Sequence, residues 1–229
     1  MELLWRVSAA LFAAIGLAST SLAQDDHAIQ DRVVPCATCH GKQGHSQADE
    51  YFPSIAGKPA GYLQQQMFNF RDGRRRHTIM QRMFAYLSDD YLLAMAQYYA
   101  SQPMAVAEPR TIGSEQTLAQ GRAIVERGDP SRGVPACQGC HGESLTGAQP
   151  SIPGLVGLPV EYLQAQLGAW RSGVRKARDP DCMAEIATKL SDAELQAATA
   201  WIASRPTLAS YRPSERAPDP LPLRCGGVQ

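Results

Sequence analysis

Downstream of Pro59 the apolar residues Leu63, Met67 and Phe70 recur at three- and four-residue spacing and stop at Gly73. That is the pattern of one buried helix face closed by a glycine. The same pattern returns from Pro159 through Leu163, Leu167 and Trp170 to Gly173. Proline suits the first position of a helix, so helices are predicted to open at Pro59 and Pro159. Ser88 and Ser191 stand where helix N-caps belong, and Ser191 with Glu194 makes a capping box. Leu195, Ala198 and Ile202 then line one face of a last helix that ends before Pro206. Residues 114–127 predict a further helix with Leu118, Ile124 and Val125 on its apolar side. Its counterpart in the first half is short, about residues 27–34, so that opening helix is expected to be truncated. No stretch alternates apolar and polar residues over the length of a strand. The fold class is all-α.

These elements belong to an internal duplication. Pro35-Cys-Ala-Thr-Cys-His-Gly41 recurs as Ala136-Cys-Gln-Gly-Cys-His-Gly142, and Gly57-Lys-Pro59 with Tyr62-Leu-Gln64 as Gly157-Leu-Pro159 with Tyr162-Leu-Gln164. Phe70-Arg-Asp-Gly73 matches Trp170-Arg-Ser-Gly173, and Leu87-Ser-Asp89 matches Leu190-Ser-Asp192. The landmarks keep their order at offsets of 100 to 103 residues. Order and constant spacing together indicate two copies of one unit. The expected organisation is a leader at residues 1–23, a first unit at 24–106, a second at 107–206 and a proline-rich tail at 207–229.

Composition narrows the class. With 22 basic and 22 acidic residues the chain has no formal net charge. A nucleic-acid binder needs a basic excess to neutralise phosphates, and none is present. The N-terminus carries Arg6, an apolar run of 11 residues from Val7 to Leu17 and the small-x-small site Ser21-Leu-Ala23. These mark a secretory leader cleaved after Ala23. The run is short of the roughly 20 residues that a membrane span requires. No later segment is apolar enough to cross a bilayer, so the mature chain is expected to be an exported, periplasmic protein, soluble or peripherally attached to the membrane.

The chemistry lies in Cys36-Ala-Thr-Cys39-His40 and Cys137-Gln-Gly-Cys140-His141. Cys-x-x-Cys-His is the attachment signature of c-type haem. Two thiols three residues apart add to the two vinyl groups of one porphyrin, and the adjacent histidine donates a ring nitrogen to its iron. A thioredoxin-like thiol pair would need strands around it. A zinc site would need its four ligands together, whereas these clusters stand about a hundred residues apart in sequence. Two covalently bound haem c groups are therefore expected, held by Cys36, Cys39, Cys137 and Cys140, with His40 and His141 as proximal ligands.

The sixth ligand separates electron transfer from catalysis, because methionine closes the iron and raises its potential while an open position favours peroxidase or gas chemistry. Internal alignment sets Met80 against Met183 and Met83 against Ile186. A methionine in a helical protein is commonly core filler, but matched placement in both copies selects Met80 and Met183 as metal ligands. Met83 remains the competing candidate in the first copy. The arginines of 71–76 and the cations at 171–178 suit haem propionates, an acidic partner or a solvated face. His45 and His77 have no counterpart in the second copy and are expected at the surface.

On these motifs, together with Pro53-Ser-Ile-Ala-Gly57 and Pro153-Gly-Leu-Val-Gly157, the chain resembles the dihaem cytochromes c of the cytochrome c4 group over about residues 30–206. The resemblance implies two tandem cytochrome c domains related by pseudo-twofold symmetry, with haem propionates near their interface. It also implies that the Pro53 and Pro153 carbonyls orient the proximal histidines. Such proteins exchange electrons with donor and acceptor redox proteins, between a quinol-oxidising complex or dehydrogenase and a terminal acceptor. The chain is therefore expected to be a carrier and not an enzyme. The alternatives are a haem enzyme such as a dihaem peroxidase, or the cytochrome subunit of a larger periplasmic dehydrogenase. Two features depart from the group: the first copy lacks the usual glycine-bearing opening helix, and the tail is extra. Cys182 and Cys225 are left over from the haem motifs. Outside the cytoplasm such residues usually pair, which suggests a Cys182–Cys225 disulfide strapping the tail over the second methionine segment; the alternatives are an intermolecular bridge to a partner or a free thiol.

Overall fold

A computed structural model describes residues 21–46 and 51–228, with side chains from residue 29 onward. The expected leader lies outside the described residues apart from the first three positions of the first helix. The chain divides into two compact units, residues 1–35 and 36–229. Helix α1, Ser21–His40, runs from the first unit into the second and carries Pro35 within it. It is longer than the short opening helix expected there. Proline removes one backbone donor but leaves the turns on either side able to form.

In residues 36–229 the first copy continues with α2 (Ala60–Arg71), α3 (Thr78–Phe84) and α4 (Asp89–Ser101). The second copy holds α5 (Glu115–Arg127), the short α6 (Gln138–His141), α7 (Val160–Arg171), α8 (Cys182–Lys189) and α9 (Asp192–Ala203). A two-stranded antiparallel ladder, β1 (Gly147–Ala148) with β2 (Ile152–Pro153), is the only named sheet among the described residues. The architecture is all-α.

Local chemistry accounts for the helix ends. Pro59 and Pro159 sit one place before α2 and α7 as extended N-cap residues, not as the first helical residues, and α2 and α7 close at Asp72 and Ser172 ahead of Gly73 and Gly173. Ser88 accepts from the Tyr91 amide and Ser191 from the Glu194 amide, with the reciprocal bond of the capping box in place. Helix α2 buries Leu63, Met67 and Phe70, and α4 buries Leu92, Met95, Ala96 and Tyr99. In the second copy Ile124, Val125, Leu163, Leu190, Ala198, Trp201 and Ile202 form one cluster, joined by Met104 from the connection between the copies. Each such side chain removed from water contributes about 1.5–3 kcal/mol.

Helix α5 packs mainly on α9. Gly121 makes the approach possible: a Cβ there would run into the Ala197 backbone and meet the Trp201 Cβ at 2.9 Å. Beyond α9 the tail forms no helix. Thr207 bonds the Ala107 amide and carbonyl, Ser214 pairs with the Gly147–Gln149 segment, and the chain then runs past α6, where a Cβ on Gly139 would meet Pro222 at 3.2 Å.

Candidate haem sites and the arginine interface

Cys36 and Cys39 lie in the last turns of α1, and Cys137 and Cys140 at the start of and within α6. Positions i and i+3 of a helix share a face, so each pair presents two thiols side by side with a histidine next in chain. All four are free thiols, partly buried. Burial pushes Cys36 and Cys140 upward and Cys137 to about 11. A redox-active Cys-x-x-Cys pair is shifted the other way, toward thiolate. Among the described residues no group of three or more His, Cys, Asp and Glu converges as a metal site. Among the described residues the thiols thus match neither an activated disulfide-exchange pair nor a converged zinc site.

Each histidine is held by one carbonyl. His40 Nδ1 lies 2.9 Å from the Pro53 oxygen, and His141 Nδ1 lies 2.8 Å from the Pro153 oxygen. A carbonyl only accepts, so Nδ1 carries the proton in both rings and Nε2 keeps its lone pair. Burial holds both imidazoles below their ordinary value, against the opposing pull of the proline carbonyls. Both rings are therefore neutral near pH 7, in the tautomer that a metal ligand requires.

Met80 is the third residue of α3 and Met183 the second of α8, and both are half-buried. Both helices open on a side-chain cap. His77 Nδ1 accepts from the Met80 amide at 3.4 Å, and Asp181 accepts from the Ala184 amide at 3.1 Å. Met83 lies one turn further along α3 and is 40% exposed, whereas Ile186 in the second copy packs on the core. His77 is not the plain surface residue expected from its lack of a counterpart. It fixes the start of α3, and its ring also contacts Tyr51 and Phe70. A histidine cap has little sequence signal, and α3 is only 7 residues long.

The two copies meet through a near-symmetric set of side chains. Arg75 donates to Gln66 (3.0 Å), Gln166 (2.6 Å) and the Tyr162 hydroxyl (2.9 Å). Arg175 donates to Gln166 (2.9 Å), Gln66 (3.0 Å) and the Tyr62 hydroxyl (3.4 Å). The backbone follows the same symmetry, the Arg76 amide bonding the Val174 carbonyl and the Lys176 amide the Arg74 carbonyl. Arg175 is 5% exposed and stacks on Trp170, 3.7 Å from the ring centroid. Burial and then Arg75 lower its affinity for a proton; burial would raise the Tyr162 phenol, but the two arginines outweigh it and hold it low. Among the described residues neither guanidinium has a carboxylate partner and the buried Trp170 Nε1 has no acceptor. Two cations sharing neutral oxygens beside an orphaned donor call for an anion. The carboxylates of haem propionates are such anions, so the residues present fit the cofactor that the cysteine motifs imply.

The tail touches both copies. Cys225 is disulfide-bonded to Cys182, the residue before Met183, with Cα atoms 5.2 Å apart. The Gly226 amide donates to the Pro180 carbonyl, and Gln65 of α2 donates to the Gly227 carbonyl at 2.7 Å.

Comparison with known proteins places these features in a family. Residues 116–202 match the family model described as cytochrome c oxidase, cbb3-type, subunit III. A thiosulfate dehydrogenase electron acceptor from Stutzerimonas stutzeri is 40% identical over 170 residues, 74% of this chain and 78% of the relative. Cytochrome c4 from Pseudomonas aeruginosa is 36% identical over 195 residues, 84% of this chain and 94% of the relative. The crystal structure of reduced recombinant cytochrome c4 from Pseudomonas stutzeri superposes with a TM-score of 0.68 at 31% identity, covering 78% of this chain and 97% of that one.

Proposed function

Since this chain belongs to the cytochrome c4 family of dihaem electron-transfer cytochromes, we propose that it is an exported, periplasmic carrier. It binds one haem c in each copy and passes electrons singly from a donor to an acceptor protein. A bound haem supplies the one-electron iron couple. Cys36 with Cys39, and Cys137 with Cys140, anchor it covalently. His40 and His141 offer Nε2 while Pro53 and Pro153 fix their rings. Met80 and Met183 stand in the first turn of a capped helix, where each would supply a thioether to a bound haem iron and so close it to a substrate. Arg75, Arg175 and Trp170 would supply donors to the propionates of a bound haem. The domain limits that go with this reading are 24–106 and 107–206, with 207–229 as a tail.

The observation that carries the reading is the doubled histidine–proline bond within a doubled Cys-x-x-Cys-His motif. Its test is reductive titration of the purified holoprotein. Two electrons per chain, taken up without a coupled substrate reaction, support it. Uptake of one electron, or turnover of hydrogen peroxide at rates typical of a peroxidase, contradicts it.

The relatives named as thiosulfate dehydrogenase electron acceptors favour one class of donor, a dehydrogenase that oxidises thiosulfate. Mixing the oxidised protein with such an enzyme and thiosulfate should reduce both haems within the enzyme's turnover time. Reduction no faster than by thiosulfate alone excludes that donor.

A further inference from the structure

Lys58 lies between Gly57 and the Pro59 cap of α2, in the first copy, yet its ammonium is spent on the second. It is 6% exposed, and its hydrogen bond runs to the Gly154 carbonyl at 2.8 Å. No carboxylate pairs with it among the described residues. Burial lowers it to about 8, so it remains charged at neutral pH. A buried cation with one neutral partner is costly and is retained where its charge serves something.

Its surroundings show what that is. Gly154 directly follows Pro153, whose carbonyl holds His141. The Lys58 ammonium is therefore fixed one residue from the carbonyl that orients the His141 ring. The internal repeat gives the control. The residue equivalent to Lys58 is Leu158, which packs on the second core and carries no charge back to His40. Arg75 and Arg175 each bond to both copies through Gln66 and Gln166, whereas Lys58 reaches only the second.

Resting on the haem reading above, we propose that Lys58 tunes the second haem. Its charge, held beside the histidine loop by the bond to Gly154, favours the ferrous over the ferric iron there and raises that centre's potential above the value it would have with a neutral side chain. Reduction removes one positive charge from the iron, so a cation held in a low-dielectric surrounding favours the reduced state.

The test is a spectrally resolved redox titration of holoprotein at a pH well below 8, comparing wild type with Lys58→Gln, Lys58→Met and Lys58→Arg. The two centres are assigned by the signal lost in Met80→Ala. Glutamine keeps the bond to Gly154 and methionine keeps the volume, so the result does not depend on one variant assembling. Both neutral variants should lower the second centre's electron affinity at least tenfold, about 59 mV for one electron, leave the first nearly unmoved, and be rescued by arginine. The inference is overturned if glutamine leaves the second centre unchanged, if both centres fall alike, or if arginine falls as far as glutamine. A wild type without two low-spin one-electron centres overturns the haem reading itself, and this inference with it.

Discussion

At the scale of single residues the account turns on which atoms reach the iron. The Nδ1 bonds to Pro53 and Pro153 leave one nitrogen free on each histidine. The sulfur ligands are the more exposed claim, since Met83 stands one turn from Met80 and competes with it by sequence. Met83 points outward, being 40% exposed, while Met80 is half-buried under the His77 cap. Met80→Ala should therefore make one haem high-spin and abolish half of the near-infrared sulfur-to-iron absorption. Met83→Ala should change neither, and optical spectra of the two ferric variants decide between them. The reverse outcome would move the ligand to Met83. Arg175→Met removes a buried cation from the anion site, so it should lower both haem potentials and weaken haem retention on mild denaturation. Unchanged potentials would remove the propionate role. The haem motifs and their histidines were legible in the sequence because covalent chemistry fixes their spacing. Lys58, His77 and Trp170 were not, because their meaning lies in partners far along the chain or in a missing acceptor.

Between elements, the tightest constraint is the α5–α9 crossing. Gly121→Ala places a methyl group against the Ala197 backbone, which cannot rotate away as a side chain can. Overpacking of this kind costs about 1–3 kcal/mol, so chemical denaturation of the holoprotein should show a loss in that range. An unchanged midpoint would mean that the helices separate freely. Helices α2, α7 and α9 could be read from the sequence because each has 12 residues, enough for a repeating apolar face. Helices α3 and α8, with 7 and 8 residues, are too short to show a period and were read only as segments bearing a methionine. The extent of α1 was hidden by Pro35, which reads as a stop and here is carried inside the helix.

Over the whole molecule the tail binds the second copy together and reaches the first. The Cys182–Cys225 bond closes a loop with a sequence separation of 43, which in the chain-entropy model stabilises by about 4 kcal/mol. Cys225→Ser should lower the unfolding free energy by a comparable amount and disturb the second haem before the first, since Cys182 adjoins Met183. Equal stability with and without reductant would show that the tail is idle. The duplication and all-α class were legible as a repeat of spacing, whereas the path of the tail, set by contacts with Gly139, Gly147 and Gln65, had no periodic signal. The central claim, an iron closed between imidazole and thioether in each copy, meets its most direct test in carbon monoxide binding to the reduced holoprotein. Two low-spin haems per chain that leave carbon monoxide unbound at micromolar concentration are predicted; stoichiometric binding at either haem contradicts the account.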